Sequence, residues 1–110
     1  MPKSAFHDYV MQDLMQGIRG VSSRAMFGGW ALYRDGVTFG IIADDQLFFK
    51  VDEKSRTEYE KRGSRPFIYE SRGKRVTMKT YWELPADVME DRDELERWVS
   101  TACLAAKKDK

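Results

Sequence analysis

Apolar residues near the start of the chain recur every three or four positions, which is the spacing of one helix face. The residues that share this spacing are Phe6, Val10, Met11, Leu14 and Met15. Ser4 precedes them, and Ser is a preferred residue type at a helix N-cap. Gly17 follows them, where Gly favours the end of a helix. The pattern therefore predicts an amphipathic helix from Ser4 to about Gln16.

The spacing then changes to that of strands. Four short runs rich in aromatic and β-branched residues follow, at residues 21–27, 29–34, 37–43 and 46–51. Asp35-Gly36 separates the second and third runs, and Asp44-Asp45 separates the third and fourth. Asp-Gly favours a two-residue hairpin, because both central positions of a type I′ turn need positive φ. The first half of the chain is predicted to contain an antiparallel meander.

The second half returns to a helix, then a hairpin, then a helix. Residues 52–62 lose the alternation, and Ser55 with Glu58 has the spacing of a capping box. Residues 67–70 and 76–84 are predicted to be two strands joined through residues 71–74. A last helix is expected to start near Asp91 and Glu94, with one continuous apolar face. The residues of that face are Leu95, Trp98, Val99, Ala102, Cys103 and Ala106.

This order predicts an α+β fold in a single domain, residues 1–110, with the pattern α-β(4)-α-β(2)-α. The sheet should be mostly antiparallel, because parallel strands need long crossover connections. The first and last helices should cover one face and give a two-layer sandwich. Alternation places on that face Trp30, Leu32, Val37, Phe39, Ile41, Leu47, Phe49, Val51, Val76 and Met78. It places on the opposite face Tyr33, Phe48, Lys50, Lys79 and Tyr81, which is more aromatic than a solvated face requires.

The central strands carry a family resemblance. Residues 24–36 read RAMFGGWALYRDG, residues 39–52 read FGIIADDQLFFKVD, and residues 66–69 read PFIY. These segments resemble the N-terminal domain of the TfoX (Sxy) family of bacterial competence regulators. The resemblance implies a two-layer domain of the secretion-chaperone-like kind. It also implies a regulator that helps to switch on DNA-uptake genes. Full-length members of the family carry a second, helical domain after this one.

Composition narrows the class of protein. The chain has 110 residues, of which 42% are hydrophobic and 34% charged, and this excludes disordered and collagen-like classes. The single cysteine, Cys103, excludes an intramolecular disulfide framework and a cysteine cluster for zinc. No apolar run reaches the length of a signal peptide or a membrane span. We therefore expect a cytoplasmic protein with no membrane partner, either a monomer or a homodimer.

Charge is unevenly distributed, although the net charge is only +1. Residues 54–80 contain nine basic and three acidic residues, a local charge of +6, and the remainder carries −5. A basic hairpin flanked by a basic helix could contact phosphates or an acidic protein surface. The competing interpretation is a solvated surface whose charges protect the strand edges. The sequence contains no helix-turn-helix, zinc-finger or aromatic RNP pattern.

Gly28-Gly29 lies between two predicted strands, where a missing β-carbon permits positive φ or close approach of another chain. One interpretation is a strand kink with Met26 and Phe27 anchored in the core, and the other is a loop that contacts a ligand. Neither the Rossmann nor the P-loop spacing follows. The candidate partner-binding residues are Arg24, Gly28, Gly29, Lys50, Arg72, Lys74, Arg75, Lys79 and Tyr81.

The sequence offers little material for catalysis. His7 is the one histidine and is predicted on the polar side of the first helix, whereas Cys103 is predicted on an apolar helix face. The paired acids suit hairpin turns and helix starts. We therefore predict no catalytic residue, no cofactor and no metal.

Three functions remain open. The leading hypothesis is a non-enzymatic regulatory or interaction domain that acts through protein contacts in transcriptional regulation, with the transcription machinery as a partner class. The alternative is an auxiliary nucleic-acid-binding module that uses the basic segment 54–80. The third is a small-molecule-binding domain.

Overall fold

The computed structural model of the chain describes residues 5–26 and 28–108. Two sequence predictions lie outside these described residues. They are the capping role of Ser4 and the anchoring of Phe27 in the core.

Six antiparallel strands form one open sheet, as the sequence predicts. The strands are β1 (Val21–Met26), β2 (Gly29–Arg34), β3 (Val37–Ala43), β4 (Gln46–Lys50), β5 (Pro66–Ser71) and β6 (Lys74–Glu83). Their spatial order is β1-β2-β3-β4-β6-β5, so the meander continues into the β5–β6 hairpin through β6. The two edges of the sheet are consequently β1 and β5.

The helices of the described chain are α1 (Ala5–Tyr9), α2 (Glu53–Lys61), α3 (Ala86–Met89) and α4 (Arg92–Lys108). The first differs from the regular helix that the spacing predicts, because α1 continues directly as a π-helical segment, Val10–Leu14. The Arg92 guanidinium donates hydrogen bonds to the backbone carbonyls of Asp13, near the end of this segment, and of Gln16, just after it. Carbonyls at a helix C-terminus need such donors, so Arg92 ties the first helix to the start of α4.

Among the described residues, three tight turns that join neighbouring strands each have two central residues with positive φ. Asp35 and Gly36 have φ of 52° and 80°, as the Asp-Gly pair predicts. Arg72 and Gly73, with φ of 53° and 76°, form the turn between β5 and β6. The third turn contains Asp44 and Asp45.

The main core lies between the helices and one face of the sheet. Val10 from the π-helical segment and Val99 from α4 are fully buried against Leu32 and Phe49 of the sheet. The ring of Phe49 meets that of Phe39 edge to face, with centroids 5.5 Å apart. Burying each such side chain contributes about 1.5–3 kcal/mol, so this interface positions the sheet.

Three residues predicted on the helix-covered face, Ile41, Val76 and Met78, lie on the opposite face, since Val76 and Met78 share one face of β6. Ile41 and Met78 both belong to a second cluster on the opposite face, and Ile42 takes the place of Ile41 in the main core. The cause in β3 is an extra residue, since Leu32 pairs with Gly40 while Tyr33 pairs with Thr38. A bulge of this kind reverses which side chains face the core. A similar register shift between β5 and β6 separates Met78 from the buried Trp82.

Helix α2 begins with a capping box three residues earlier than predicted. The Ser55 backbone N–H donates to Asp52 Oδ1 at 2.8 Å, and the Asp52 N–H donates to Ser55 Oγ at 3.0 Å. Asp52 is therefore the N-cap, and the predicted Ser55/Glu58 pairing is wrong. The hydrogen bond from the Ser55 backbone, with a second from Lys108, lowers the pKa of Asp52 to about 2.

No helix within residues 5–26 and 28–108 is long and apolar enough to cross a membrane.

Candidate functional site

The sheet face opposite the helices, here called the outer face, has its own small core. Ile41, Phe48 and Tyr81 are only 5–7% exposed there. Phe67 of β5 and Met78 of β6 pack against them. The β5–β6 hairpin therefore folds over the outer face and supplies the cover that helices provide on the other side.

An aromatic row leads from this small core to solvent. The ring of buried Phe48 lies 4.8 Å from that of Phe67, measured between centroids. Phe67 in turn stacks on Tyr69, with centroids 5.7 Å apart and planes inclined by 26°. Alternation along β5 places Phe67 and Tyr69 on the same face of the strand. Tyr69 is 39% exposed, so the row ends in an aromatic surface available for contact.

A groove of about 480 Å³ runs beside this row. The residues that line it are Gly28, Ala43, Asp44, Phe67, Ile68, Tyr69, Glu70 and Arg75. Its walls come from the start of β2 and the end of β3 on one side and from the β5–β6 hairpin on the other. Apolar side chains, two carboxylates and one guanidinium share this concave surface. Such a mixture suits a ligand with both apolar and charged groups.

The structure brings together some of the predicted binding residues. Gly28 and Arg75 line the same groove, although they are 47 positions apart in the sequence. Lys50 lies over the ring of Tyr81, with its Nζ 5.1 Å from the ring centroid, in a cation–π contact on the outer face.

The other predicted residues are dispersed. Arg72 and Lys74 are exposed at the β5–β6 turn, and Lys79 is exposed on β6. Arg24 is exposed on β1, the other edge strand of the sheet.

Sequence reasoning did not identify most of the groove. The residues it missed are Ala43, Asp44, Phe67, Ile68, Tyr69 and Glu70. The sequence did contain one signal of this surface. Three consecutive apolar residues lie in β5, where a half-exposed strand would alternate between apolar and polar residues. The sequence pattern does not show, however, that β5 approaches the start of β2 and the end of β3, because that contact depends on how the hairpin folds.

The two glycines have different roles. Gly28 has φ of 70° and is exposed, so it supplies a turn conformation. Gly29 is buried in β2, where a β-carbon would collide with the backbone carbonyl of Ile42. The prediction that Met26 anchors in the core is wrong, because Met26 is 44% exposed at the end of the edge strand β1.

One member of the basic segment is already engaged within the fold. The Arg62 guanidinium donates two hydrogen bonds to Glu94, at 3.0 and 3.1 Å, and one to Asp87 at 2.9 Å. It also lies over the Trp98 ring at 5.1 Å. Hydrogen bonding to Glu94 raises the pKa of Arg62 further. Arg62 thus joins α2 to α3 and α4, and the basic character of the segment is concentrated in the β5–β6 hairpin.

His7 joins the first helix to the sheet. Its Nε2 lies 2.9 Å from Ser23 Oγ, its ring stacks on Trp30 at 4.4 Å, and its Nδ1 lies 3.4 Å from Asp8 Oδ1. The order Ser, His, Asp is that of a hydrolase triad, but Asp8 is half exposed and its distance is long for an orienting hydrogen bond. The stacking and the bond to Ser23 describe a packing role.

Cys103 is buried on α4 near Arg34, and burial raises the pKa of its thiol. A protonated thiol is a poor nucleophile. Among the described residues, no group of three or more His, Cys, Asp or Glu side chains is arranged to hold a metal ion.

Residues 13–106 match the family model described as the TfoX N-terminal domain, which covers most of the chain. The match contains the whole sheet, both walls of the groove and nearly all of α4. No curated protein matches the sequence.

Proposed function

The chain belongs to the TfoX N-terminal domain family, and on this premise we propose that it is a non-enzymatic regulatory domain that binds another protein through its outer face. The family membership supports a competence-regulator-like role. The regulatory setting, with the transcription machinery as the partner class, is the part of the proposal that rests on the family membership. The contact surface follows from the residues of this chain.

The groove on the outer face is the observation that carries the proposal. It combines an exposed aromatic ring, Tyr69, with an exposed aliphatic side chain, Ile68, and with charges of both signs. Protein interfaces are enriched in Tyr and Arg at their centres, with apolar contacts inside a polar rim. Tyr69 and Arg75 are of the residue types that are enriched at interface centres, and Asp44 and Glu70 provide the polar rim.

The alternative function is binding of nucleic acid through the basic segment 54–80. The exposed side chains of Arg72 and Lys74 at one hairpin turn support it. Two features weigh against it. Arg62 is held by two carboxylates, and the carboxylates of Asp44 and Glu70 line the groove beside Arg75. A phosphate backbone would bring a negative charge against these carboxylates at every nucleotide, whereas a peptide can place apolar side chains there. A protein partner therefore fits this surface better.

Affinity capture from the native cell, with nuclease present, tests the proposal. The bait proteins are the wild type, Tyr69→Asp in the groove, and Leu104→Asp as the matched control. Leu104 is an exposed apolar residue on α4, 61% accessible. We expect one partner to be retained by the wild type and Leu104→Asp and lost by folded Tyr69→Asp. Equal retention by all three proteins, or capture that nuclease abolishes, would contradict binding of a protein through the groove.

A further inference from the structure

The two edge strands of the sheet differ in how well they are protected. Strand β1 carries the charged side chain of Arg24 in its middle, and Ser23 is bonded to His7 of the first helix. Charged side chains and covering helices are the usual protection of an edge against pairing with another chain. Strand β5 begins with Pro66 and carries one charged side chain, Glu70, but its middle is apolar on both faces, with Phe67 and Tyr69 on one and Ile68 on the other. Ile68 and Tyr69 are 40% and 39% exposed.

The pairing of β5 with β6 determines which backbone groups point outward. Ser71 pairs with Lys74 across the two-residue turn, so this pair exchanges both of its hydrogen bonds. Hydrogen-bonded pairs then alternate along the hairpin, and the next such pair is Tyr69 with Val76. The N–H and C=O groups of Ile68 and Glu70 therefore point away from β6.

We propose that β5 binds its partner by strand addition, in which an extended acidic segment of another protein pairs with the backbone of Ile68 and Glu70. The proposal rests on the proposed function and specifies how the outer face would hold a protein. The added strand would form up to four backbone hydrogen bonds with these two residues. Pro66 has no N–H, so it limits the pairing at the start of β5.

The groove gives the added strand side-chain specificity. Side chains of an extended segment alternate between its two faces, so every second one would lie on the side of Phe67 and Tyr69. That side opens onto the apolar part of the groove. We therefore expect apolar residues at alternate positions of the bound segment.

The charge of the β5–β6 hairpin determines which kind of segment can pair with β5. Residues 65–79 contain five basic side chains, Arg65, Arg72, Lys74, Arg75 and Lys79, and one acidic side chain, Glu70. A segment with acidic residues where it passes Arg72 and Lys74, at the exposed turn of the hairpin, complements this net positive charge. A second copy of the chain would bring a hairpin of the same charge alongside. Like charges at close range disfavour that pairing.

Selection from a library of random twelve-residue peptides displayed on phage tests the proposal. The target is the wild type, and the selected peptides are then measured against Ile68→Pro and Ile68→Thr. Proline at position 68 removes an outward N–H while leaving the bonds to β6 in place, and threonine keeps the N–H. We expect acidic peptides with alternating apolar residues that lose at least about tenfold in affinity for Ile68→Pro, equivalent to about 1.4 kcal/mol, and little for Ile68→Thr.

Amide hydrogen exchange in the wild type gives a second measurement that needs no variant. In the free protein the amides of Ile68 and Glu70 should exchange quickly, and those of Tyr69 and Ser71 slowly. The selected peptide should protect Ile68 and Glu70.

Peptides that bind Ile68→Pro as tightly as the wild type, or protect neither amide, would overturn strand addition while leaving a protein-binding groove intact. A library that yields no binder would also overturn it, whereas the capture experiment with Tyr69→Asp judges the proposed function separately. Protection that rises with protein concentration in the absence of peptide would identify a second copy as the occupant and overturn the choice of partner.

Discussion

Gly29 of β2 lies against the backbone carbonyl of Ile42 in β3, with no room for a β-carbon between them. Gly29→Ala should therefore force the two central strands apart and destabilise the fold by about 3 kcal/mol. Thermal melts measure this loss. A Gly29→Ala protein as stable as the wild type would contradict the close approach.

At Gly28, one position earlier, the backbone conformation that the new residue can adopt, and not its size, should decide the effect on stability. Its φ is 70° and nothing lies within 4 Å of the position of a β-carbon. Gly28→Val should cost about 1–3 kcal/mol through backbone strain, because β-branched residues avoid positive φ. Gly28→Asn is the matched control and should lose much less, since Asn adopts this conformation readily. Equal melting temperatures for the Val and Asn variants would contradict the role assigned to the turn.

Asp52 should give the protein an acid-sensitive component of stability. Its pKa is about 2 in the folded state and ordinarily 3.8, so the folded state favours the carboxylate. This contribution is fully present above about pH 4 and is lost as the pH falls towards 2. We expect about 1–2 kcal/mol, the usual size of an N-cap. Urea unfolding between pH 2 and 6 should show this loss in the wild type.

Asp52→Asn is the control for that measurement, because Asn keeps a capping oxygen that does not titrate. Its stability should be flatter between pH 2 and 4, whereas Asp52→Ala should be destabilised at all pH values. Identical pH profiles for the wild type and Asp52→Asn would contradict the assignment.

Phe48 tests whether the β5–β6 hairpin buries a second core. Phe48 is 5% exposed on the outer face, and Phe48→Ala should destabilise the protein by about 3–5 kcal/mol. Leu104→Ala, on the exposed side of α4, should change stability by about 0.5 kcal/mol or less. Chemical unfolding compares the two. Similar small losses for both variants would mean that the hairpin does not cover the outer face.

His7 and Cys103 should be dispensable for function. His7→Ala removes the bond to Ser23 and the stacking on Trp30, and it should cost about 1–2 kcal/mol. Partner binding by the folded His7→Ala and Cys103→Ala variants should equal that of the wild type. A folded His7→Ala protein that has lost its biological activity would show that the interactions with Ser23 and Asp8 do more than pack the helix.

The order of helices and strands along the chain could be predicted from the sequence, because the residues at each turn determine where the hairpins form. Asp35-Gly36 predicts its turn directly, and the apolar spacing of α4 predicts the face that packs on the sheet. The bulge in β3 could not be predicted, because Ile41 and Ile42 are both apolar and alternation cannot tell which faces the helices. The register shift in β6 likewise could not be predicted, and it places Met78 on the outer face instead of the helix-covered one. The walls of the groove come from segments far apart in the sequence, so the local pattern could not predict that they meet.

The nature of the partner can be tested by charge reversal at the β5–β6 hairpin. The measurement compares the wild type with Lys74→Glu/Arg75→Glu in binding to duplex DNA of unrelated sequences and to an acidic peptide selected on the wild type, at low and high salt. We expect no DNA binding by either protein even at low salt, and slower association of the peptide with the variant. If the hairpin bound DNA instead, the logarithm of the binding constant would fall with the logarithm of the salt concentration. The steepness of that line would be smaller in the variant by about 0.7–0.9 for each phosphate that it no longer neutralises, whatever the DNA sequence. A micromolar, salt-sensitive affinity of the wild type for DNA that disappears in Lys74→Glu/Arg75→Glu would contradict a protein partner and establish the nucleic-acid alternative.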